Sequence, residues 1–227
     1  VLMAAIAGVL GKGDDQQRFS AQAEKVKTTV NRLLLNPEKG IYIDGEGSGH
    51  SSLHSNMFAL AFGLVPDECR QRVVDFIISR GMACSVYGAQ HLLDGLYLAG
   101  EADAALKLMT ATHDRSWHHM IEAGATMTWE AWDWKYKNNL DWNHAWGAAP
   151  ANIIMRRLAG VRPAEAGFKE VLVQPQPGSL EHFTAQAPTP RGPVSVAYER
   201  VRDTVFKLKI FLPGDMPARV KLPDTGS

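Results

Sequence analysis

Glu130 stands between Trp129 and Trp132 in the stretch GATMTWEAWDWKYKNNLDWNHAWG, residues 124–147. Five of the six tryptophans of the chain fall in this stretch, so a single carboxylate is surrounded by indoles. A carboxylate among aromatic rings loses part of its hydration. That raises its pKa and makes Glu130 a candidate proton acceptor or donor. The same position also fits a buried structural glutamate held by local backbone amides. Any one tryptophan, taken alone, reads as core filling. The cluster reads differently because Asp133, Lys135, Asn138, Asn139, Asp141, Asn143 and His144 are interleaved with it. Indole faces carry the C–H faces of a sugar, while carboxylates and amides read its hydroxyls. His144 has two readings, one as a contact for substrate or an orienting partner for the acid, the other as a hydrogen-bonded core histidine.

The surrounding composition narrows the ligand. Lys plus Arg equals Asp plus Glu, and the formal net charge is zero. Bulk charge therefore recruits neither nucleic acid nor an anionic membrane, and a neutral partner is expected. Cys69 and Cys84 lack metal-site spacing and read as two ordinary thiols. The opening VLMAAIAGVLGKGDD has only about ten apolar residues, too few to span a bilayer. It reads as the end of a core helix, in a chain that is part of something longer.

Two kinds of element must position the aromatic segment. Up to about residue 160 the periodicity is helical. QQRFSAQAEKVKTTVNRLL repeats its apolar residues at helical spacing. SLHSNMFALAFGLV is an apolar helix that Ser51 or Ser52 is placed to cap, and DECRQRVVDFIISRG runs from an Asp67 N-cap to Gly81. QHLLDGLYLAG and EADAALKLMTATHD form a helical hairpin turning at Gly100-Glu101. NHAWGAAPANIIMRRLAG is a further helix with Pro150 in its first turn. Several of these helices are apolar nearly all round, as in the inner ring of a layered helical barrel. From GVRP onward, FKEVLVQPQ, HFTAQAP, GPVSVAYERV, TVFKLKIFLP and ARVKLP alternate apolar with polar residues between Pro and Gly, which is strand grammar. The expectation is a helical domain over 1–160 and a small antiparallel β domain over 161–227. The loops between helices are where a site would be built.

The blocks SWHHMIEAGATMTWEAW, LDWNHAWGA and RRLAGVRPAEAGFKEVLVQPQP, with NMFALAFGLVP and GAQHLLDGLYLAGEADAALKLM upstream, resemble the C-terminal part of the inverting α-L-rhamnosidases, family 78 of the glycoside hydrolases. The Thr-x-Trp-Glu, Asn-His and Ala-Gly-Val-x-Pro blocks occur in that family's order and spacing across nearly the whole chain. The resemblance implies the later helices of an (α/α)6 barrel followed by a C-terminal β-sandwich. It implies Glu130 as the general base, His144 as a contact of the bound sugar, and Trp129 and Trp132 beside Glu130, with Trp132 in the wall of the same subsite. Two carboxyl groups roughly 6.5–9.5 Å apart suffice for inversion, without a cofactor. The chain departs from the family at Ala131, where an arginine is common. It also lacks the acid-bearing run resembling Asp-Cys-Pro-Gln-Arg-x-Glu-Arg, which is expected in preceding domains of the same polypeptide.

Two histidine groups raise the question of a metal. Asp44, Glu46, His50 and His54 lie in IYIDGEGSGHSSLHSN, and His113, His118 and His119 bracket RSW. The first reads as a turn-rich loop leading into a helix and the second as a helix end with cationic side chains, so no metal is assigned. Three functions follow in order: hydrolysis of terminal α-L-rhamnose from a glycan or glycoside, carbohydrate binding without turnover on the same fold, and another barrel enzyme acting on sugars.

Overall fold

The structure is a computed structural model and describes residues 1–203 and 205–223. It divides into two compact units, Val1–Arg80 and Gly81–Ser227.

In the first unit, helices α1 (Leu2–Val9) and α2 (Gly13–Leu34) pack on one another. Ala4 and Ala7 of α1 are buried, whereas Leu2, Met3, Ile6 and Val9 are exposed. The expectation of a core helix here therefore holds only for its small-residue face. A tight pair of short strands follows, β1 (Leu35–Asn36) and β2 (Ile41–Tyr42). Asn36 closes the turn between them: its side-chain oxygen accepts from the backbone N–H groups of Glu38 and Lys39 at 3.0 and 2.9 Å. Helices α3 (Leu53–Ala61) and α4 (Arg70–Arg80) form the next hairpin. Ser52 caps α3, its hydroxyl accepting from Ser55 N–H. The fully buried Asn56 exchanges two bonds with Tyr42, accepting from its N–H at 2.9 Å and donating to its carbonyl at 3.0 Å. This satisfies the backbone of β2 against α3. Asp67 does not cap α4. Pro66 holds the cap position, Asp67–Cys69 is a 3-10 turn, and the Asp67 carboxylate takes Arg70 instead. The carboxylate of Asp44 closes the loop before α3, accepting from Ser52 N–H at 2.8 Å, Ser55 Oγ at 3.0 Å and His50.

The second unit contains α5 (Ala89–Ala99) and α6 (Ala102–Met109), joined at Gly100 in the left-handed conformation. Next come α7 (Trp117–Glu122), capped by Ser116, and α8 (Ala149–Ile153), with Pro150 in its first turn. α8 widens into a π turn, Ile154–Leu158. Leu92, Leu93, Leu96 and Ile153 are sealed from solvent where α5 packs on α8.

Among the described residues six strands follow: β3 (Val161–Pro163), β4 (Val171–Val173), β5 (His182–Ala187), β6 (Val194–Arg202), β7 (Val205–Phe211) and β8 (Ala218–Val220). They form two three-stranded sheets, β3-β4-β8 and β5-β6-β7. Along β6, Val194, Val196 and Tyr198 turn inward while Ser195, Ala197 and Glu199 alternate with them. Val161, Val171 and Val173 from one sheet meet Ala187, Val194 and Val196 from the other in a single apolar cluster, which makes a small sandwich. One pairing departs from the antiparallel expectation: β4 and β8 run parallel.

Gly160 joins the last helical turn to β3 with φ +73°, and a Cβ there would lie 2.0 Å from the Gln174 carbonyl oxygen. The Gly160 carbonyl itself accepts from Gln174 N–H at 3.0 Å, so neither strand can retreat without breaking that bond. Gly160→Ala is expected to cost at least about 2 kcal/mol through backbone strain and overpacking. Chemical denaturation of the two forms checks this, and equal midpoints would contradict it.

Candidate active site

The segment holding Glu130 has no helix or strand of its own, yet its backbone is paired. Glu130 N–H donates to Asp141 O at 2.9 Å, and His144 N–H donates to Thr128 O at 2.8 Å. The Thr128 hydroxyl donates to His144 O at 2.6 Å. These bonds lay the Thr-x-Trp-Glu segment against Asp141–His144, so that Glu130 and His144 stand on two paired stretches of chain. Gly147 allows the close packing behind it, since a Cβ there would meet Val86 and Thr128 side chains at 2.8–2.9 Å. Its carbonyl receives the Trp117 indole N–H at 2.7 Å.

Both oxygens of the Glu130 carboxylate are engaged. Oε1 pairs with the Lys137 ammonium, and Oε2 accepts from Asp141 N–H at 3.2 Å. Lys137 and then the Asp141 amide hold the Glu130 carboxyl below its ordinary range; the opposing effect of burial is smaller. The expectation of a raised pKa is thereby corrected. The side chain keeps a quarter of its surface in solvent, and a cation and an N–H stabilise its charged form more than the indoles disfavour it. An ionised carboxylate with solvent access is a proton acceptor, not a donor.

The loop 131–140 that delivers Lys137 is pinned along its length. Asp133 accepts from Lys135 N–H at 2.9 Å and from His119 Nε2 at 2.6 Å. Asp114 takes the Lys135 ammonium and the Tyr136 hydroxyl, the latter at 2.8 Å, which lowers its pKa to about 2. The Arg115 guanidinium lies 4.5 Å from the Tyr136 ring centre. Asp133 is likewise held below the ordinary carboxyl range by Lys135 N–H and His119. Both are carboxylates fixed in their charged form, whereas a general acid needs the opposite shift. The histidines read as cationic helix-end residues thus include one, His119, with a structural partner. Among the described residues no group of three or more His, Cys, Asp or Glu side chains is placed to hold a metal.

The tryptophans divide by exposure. Trp129 and Trp132 are each only 3 % exposed, whereas Trp134, Trp142 and Trp146 are 46 %, 50 % and 75 % exposed. Trp132 donates its indole N–H to Cys84 O at 2.7 Å and meets Trp117 edge-to-face at 5.0 Å. Trp129 meets Trp142 edge-to-face at 5.0 Å, and Trp142 in turn meets Trp134 at 4.8 Å. Trp129 and Trp132, expected beside the substrate, are nearly sealed from solvent in this structure, where the indoles flanking Glu130 in sequence pack inward. Glu130, between them, keeps a quarter of its side chain in solvent. The exposed indoles are the ones further along the loop. Lys137 was not singled out by the sequence reading; its acidic partner lies seven positions away across an irregular loop, a spacing with no periodic signature.

The electrostatics of Glu130 carry a prediction. Lys137→Met removes the main cause of the lowered pKa, so the carboxylate protonates at higher pH. The acidic limb of any Glu130-dependent pH–rate profile should move upward, with Lys137→Arg restoring it in part. An unmoved limb would show that Lys137 does not tune this group.

The chain is similar to known proteins along its length. Residues 1–158 match the family described as bacterial alpha-L-rhamnosidase 6 hairpin glycosidase domain, and residues 160–227 match the bacterial alpha-L-rhamnosidase C-terminal domain. An alpha-L-rhamnosidase of Formosa agariphila is 26% identical over 100% of this chain and 25% of its own length. One of Streptomyces avermitilis is 27% identical over 79% of this chain and 19% of its own. Among solved structures, the alpha-L-rhamnosidase from Dictyoglumus thermophilum aligns with a TM-score of 0.81 at 26% identity, covering 96% of this chain and 25% of that one. The GH78 family rhamnosidase of Bacillus sp. GL1 gives 0.78 at 26%, covering 98% and 25%. The chain thus spans 19–25% of the length of these relatives. With the match running through the whole helical region and the segment that holds Glu130, the chain belongs to the bacterial α-L-rhamnosidase six-hairpin glycosidase family.

Proposed function

We propose that this chain carries the general-base half of an inverting α-L-rhamnosidase. The single observation that carries the reading is the Glu130 carboxylate, ionised and partly open to solvent, held by Lys137 and Asp141 N–H on a segment paired with His144. Glu130 takes a proton from a water molecule as that water attacks the anomeric carbon of a terminal rhamnose. The C–O bond to the leaving group breaks, and the departing oxygen receives a proton from a carboxylic acid. His144, a fifth exposed at its side chain, lines the sugar's position. Asp133 and Asp114 are held as carboxylates and are poor general acids; the resemblance assigns the acid to a motif that is not among these residues. The substrate is a rhamnosylated glycan or glycoside, and no cofactor takes part. Residues 1–160 are the later helices of the catalytic barrel and 161–227 a C-terminal β-sandwich.

The test is hydrolysis of p-nitrophenyl α-L-rhamnoside by the polypeptide that carries this chain, with NMR of the first sugar released. The β anomer is expected, and first release of the α anomer would overturn inversion. Rhamnose binding without any turnover would favour instead a carbohydrate-binding protein on the same fold.

A further inference from the structure

Two overlapping turns carry Lys137 to Glu130. The Asp133 carbonyl accepts from Tyr136 N–H at 3.1 Å, and the Trp134 carbonyl accepts from Lys137 N–H at 3.2 Å. Asp133 Oδ1 accepts from Lys135 N–H at 2.9 Å, an Asx turn laid over the first of the two. One carboxylate oxygen of Asp133 is thus spent on the turn. The other meets His119 Nε2 at 2.6 Å. An ionised carboxylate only accepts, so the His119 ring nitrogen is the donor.

His119 stands on a helix tied to the segment that holds Glu130. The Ser116 hydroxyl accepts from His119 N–H at 3.0 Å, and Trp117 of the same helix donates its indole N–H to the Gly147 carbonyl at 2.7 Å. Gly147 N–H donates to His144 O at 2.9 Å, and His144 N–H donates to Thr128 O, two residues before Glu130. The bonds therefore close a ring. One arm runs from α7 through Gly147, His144 and Thr128 to the Glu130 backbone. The other runs from His119 through Asp133 and the turn to Lys137, whose ammonium pairs with Glu130 Oε1. Asp114 is a weaker anchor for that second arm. It holds the Lys135 ammonium and the Tyr136 hydroxyl, the far ends of two long side chains, and leaves their backbone free to shift. The carboxylate that His119 holds grips the turn at its backbone.

We propose that His119 is a positioning residue for the hydrolysis: acting through Asp133, it sets the turn that places the Lys137 ammonium on the Glu130 carboxylate. The inference rests on the reading of Glu130 as the base.

The experiment follows kcat/KM against pH for p-nitrophenyl α-L-rhamnoside, in the polypeptide that carries this chain, over His119→Ala, Lys137→Met and the double variant. An opposite charge at contact lowers a carboxyl pKa by about 1–3, and a loosened turn keeps that charge in place only part of the time. His119→Ala is therefore expected to raise the acidic limb by about 0.5–1 pH unit. It should lower kcat about 10-fold with KM little changed. In the Lys137→Met background, His119→Ala moves the limb no further. His119→Gln, a neutral side chain whose amide reaches Asp133 from the place of Nε2, restores most of the original limb. Should His119→Ala fail to fold, His119→Leu, which keeps the bulk and lacks the donor, takes its place in the cycle. An equal shift in both backgrounds would mean that His119 acts on Glu130 by its own charge, and overturns the positioning role. An unmoved limb in the single variant overturns it too. Glu130→Gln separates the two claims. Turnover that survives it removes the base reading and the role of His119 with it, whereas turnover lost there beside an unmoved limb in His119→Ala overturns the role of His119 alone.

Discussion

Rhamnoside hydrolysis is expected to fall about 1,000-fold in Glu130→Gln, within the range that a positioned base contributes. The substitution keeps the side-chain volume and an oxygen that accepts from Asp141 N–H, so the paired segment stays in place. It removes the charge that Lys137 meets and the basic site that receives the proton from water. Rhamnose affinity, read by calorimetry, should change far less than kcat. Glu130→Ala with added formate should recover part of the lost rate, because a small carboxylate then replaces the missing base. Turnover in Glu130→Gln within a few-fold of the unmodified protein would move the base to another residue. The direction of the pKa shift supplies a second check. The acidic limb should lie below the ordinary carboxyl range, since Lys137 and the Asp141 amide stabilise the charged form.

Trp132→Ala is expected to destabilise the protein by about 3–5 kcal/mol, the usual cost of emptying a large aromatic site. The indole is almost fully buried, packs edge-to-face on Trp117, and satisfies the Cys84 carbonyl at 2.7 Å. Trp132→Phe should retain most of the packing and lose about 1–3 kcal/mol, chiefly from the carbonyl left without its donor. Urea unfolding measures both. Unchanged stability with a raised KM would return Trp132 to the substrate wall. The Cys84 thiol beside it, pushed up to about 12 by burial, is expected to resist alkylation in the folded protein and to react only on unfolding.

Glu130 and Trp132, two positions apart, pose the same question: which side chains of one aromatic segment face solvent. Sequence periodicity located α2 to α6 and β4 to β8, because each repeats its apolar residues along one face; α7 and the short strands β1, β2 and β3 are too brief to show a period. The turn at Gly100 and the cap at Ser52 were legible for the same local reason: their backbone needs are met within a few residues. Asp67 was misread because an acidic residue after proline fits an N-cap and a 3-10 first turn equally well. The parallel pairing of β4 with β8 leaves no local mark, since the two strands are brought together across most of the β domain.

By itself the amino-acid sequence determined that Glu130 and His144 lie on a polar, indole-rich loop segment of a helical domain followed by strands, and that the resemblance to rhamnosidases runs through both. Only tertiary structure decided the state of that carboxylate. Composition around Glu130 argued for desolvation, but the balance of a pKa depends on which groups reach the two oxygens, and Lys137 reaches one of them across a loop pinned at Asp133 and Asp114. Tertiary structure likewise sent Trp129 and Trp132 inward and left Trp134, Trp142 and Trp146 in solvent. Identical side chains a few residues apart in an irregular segment have no period to sort them; the neighbours that bury an indole, here Trp117 and the Cys84 carbonyl for Trp132, come from elsewhere in the chain.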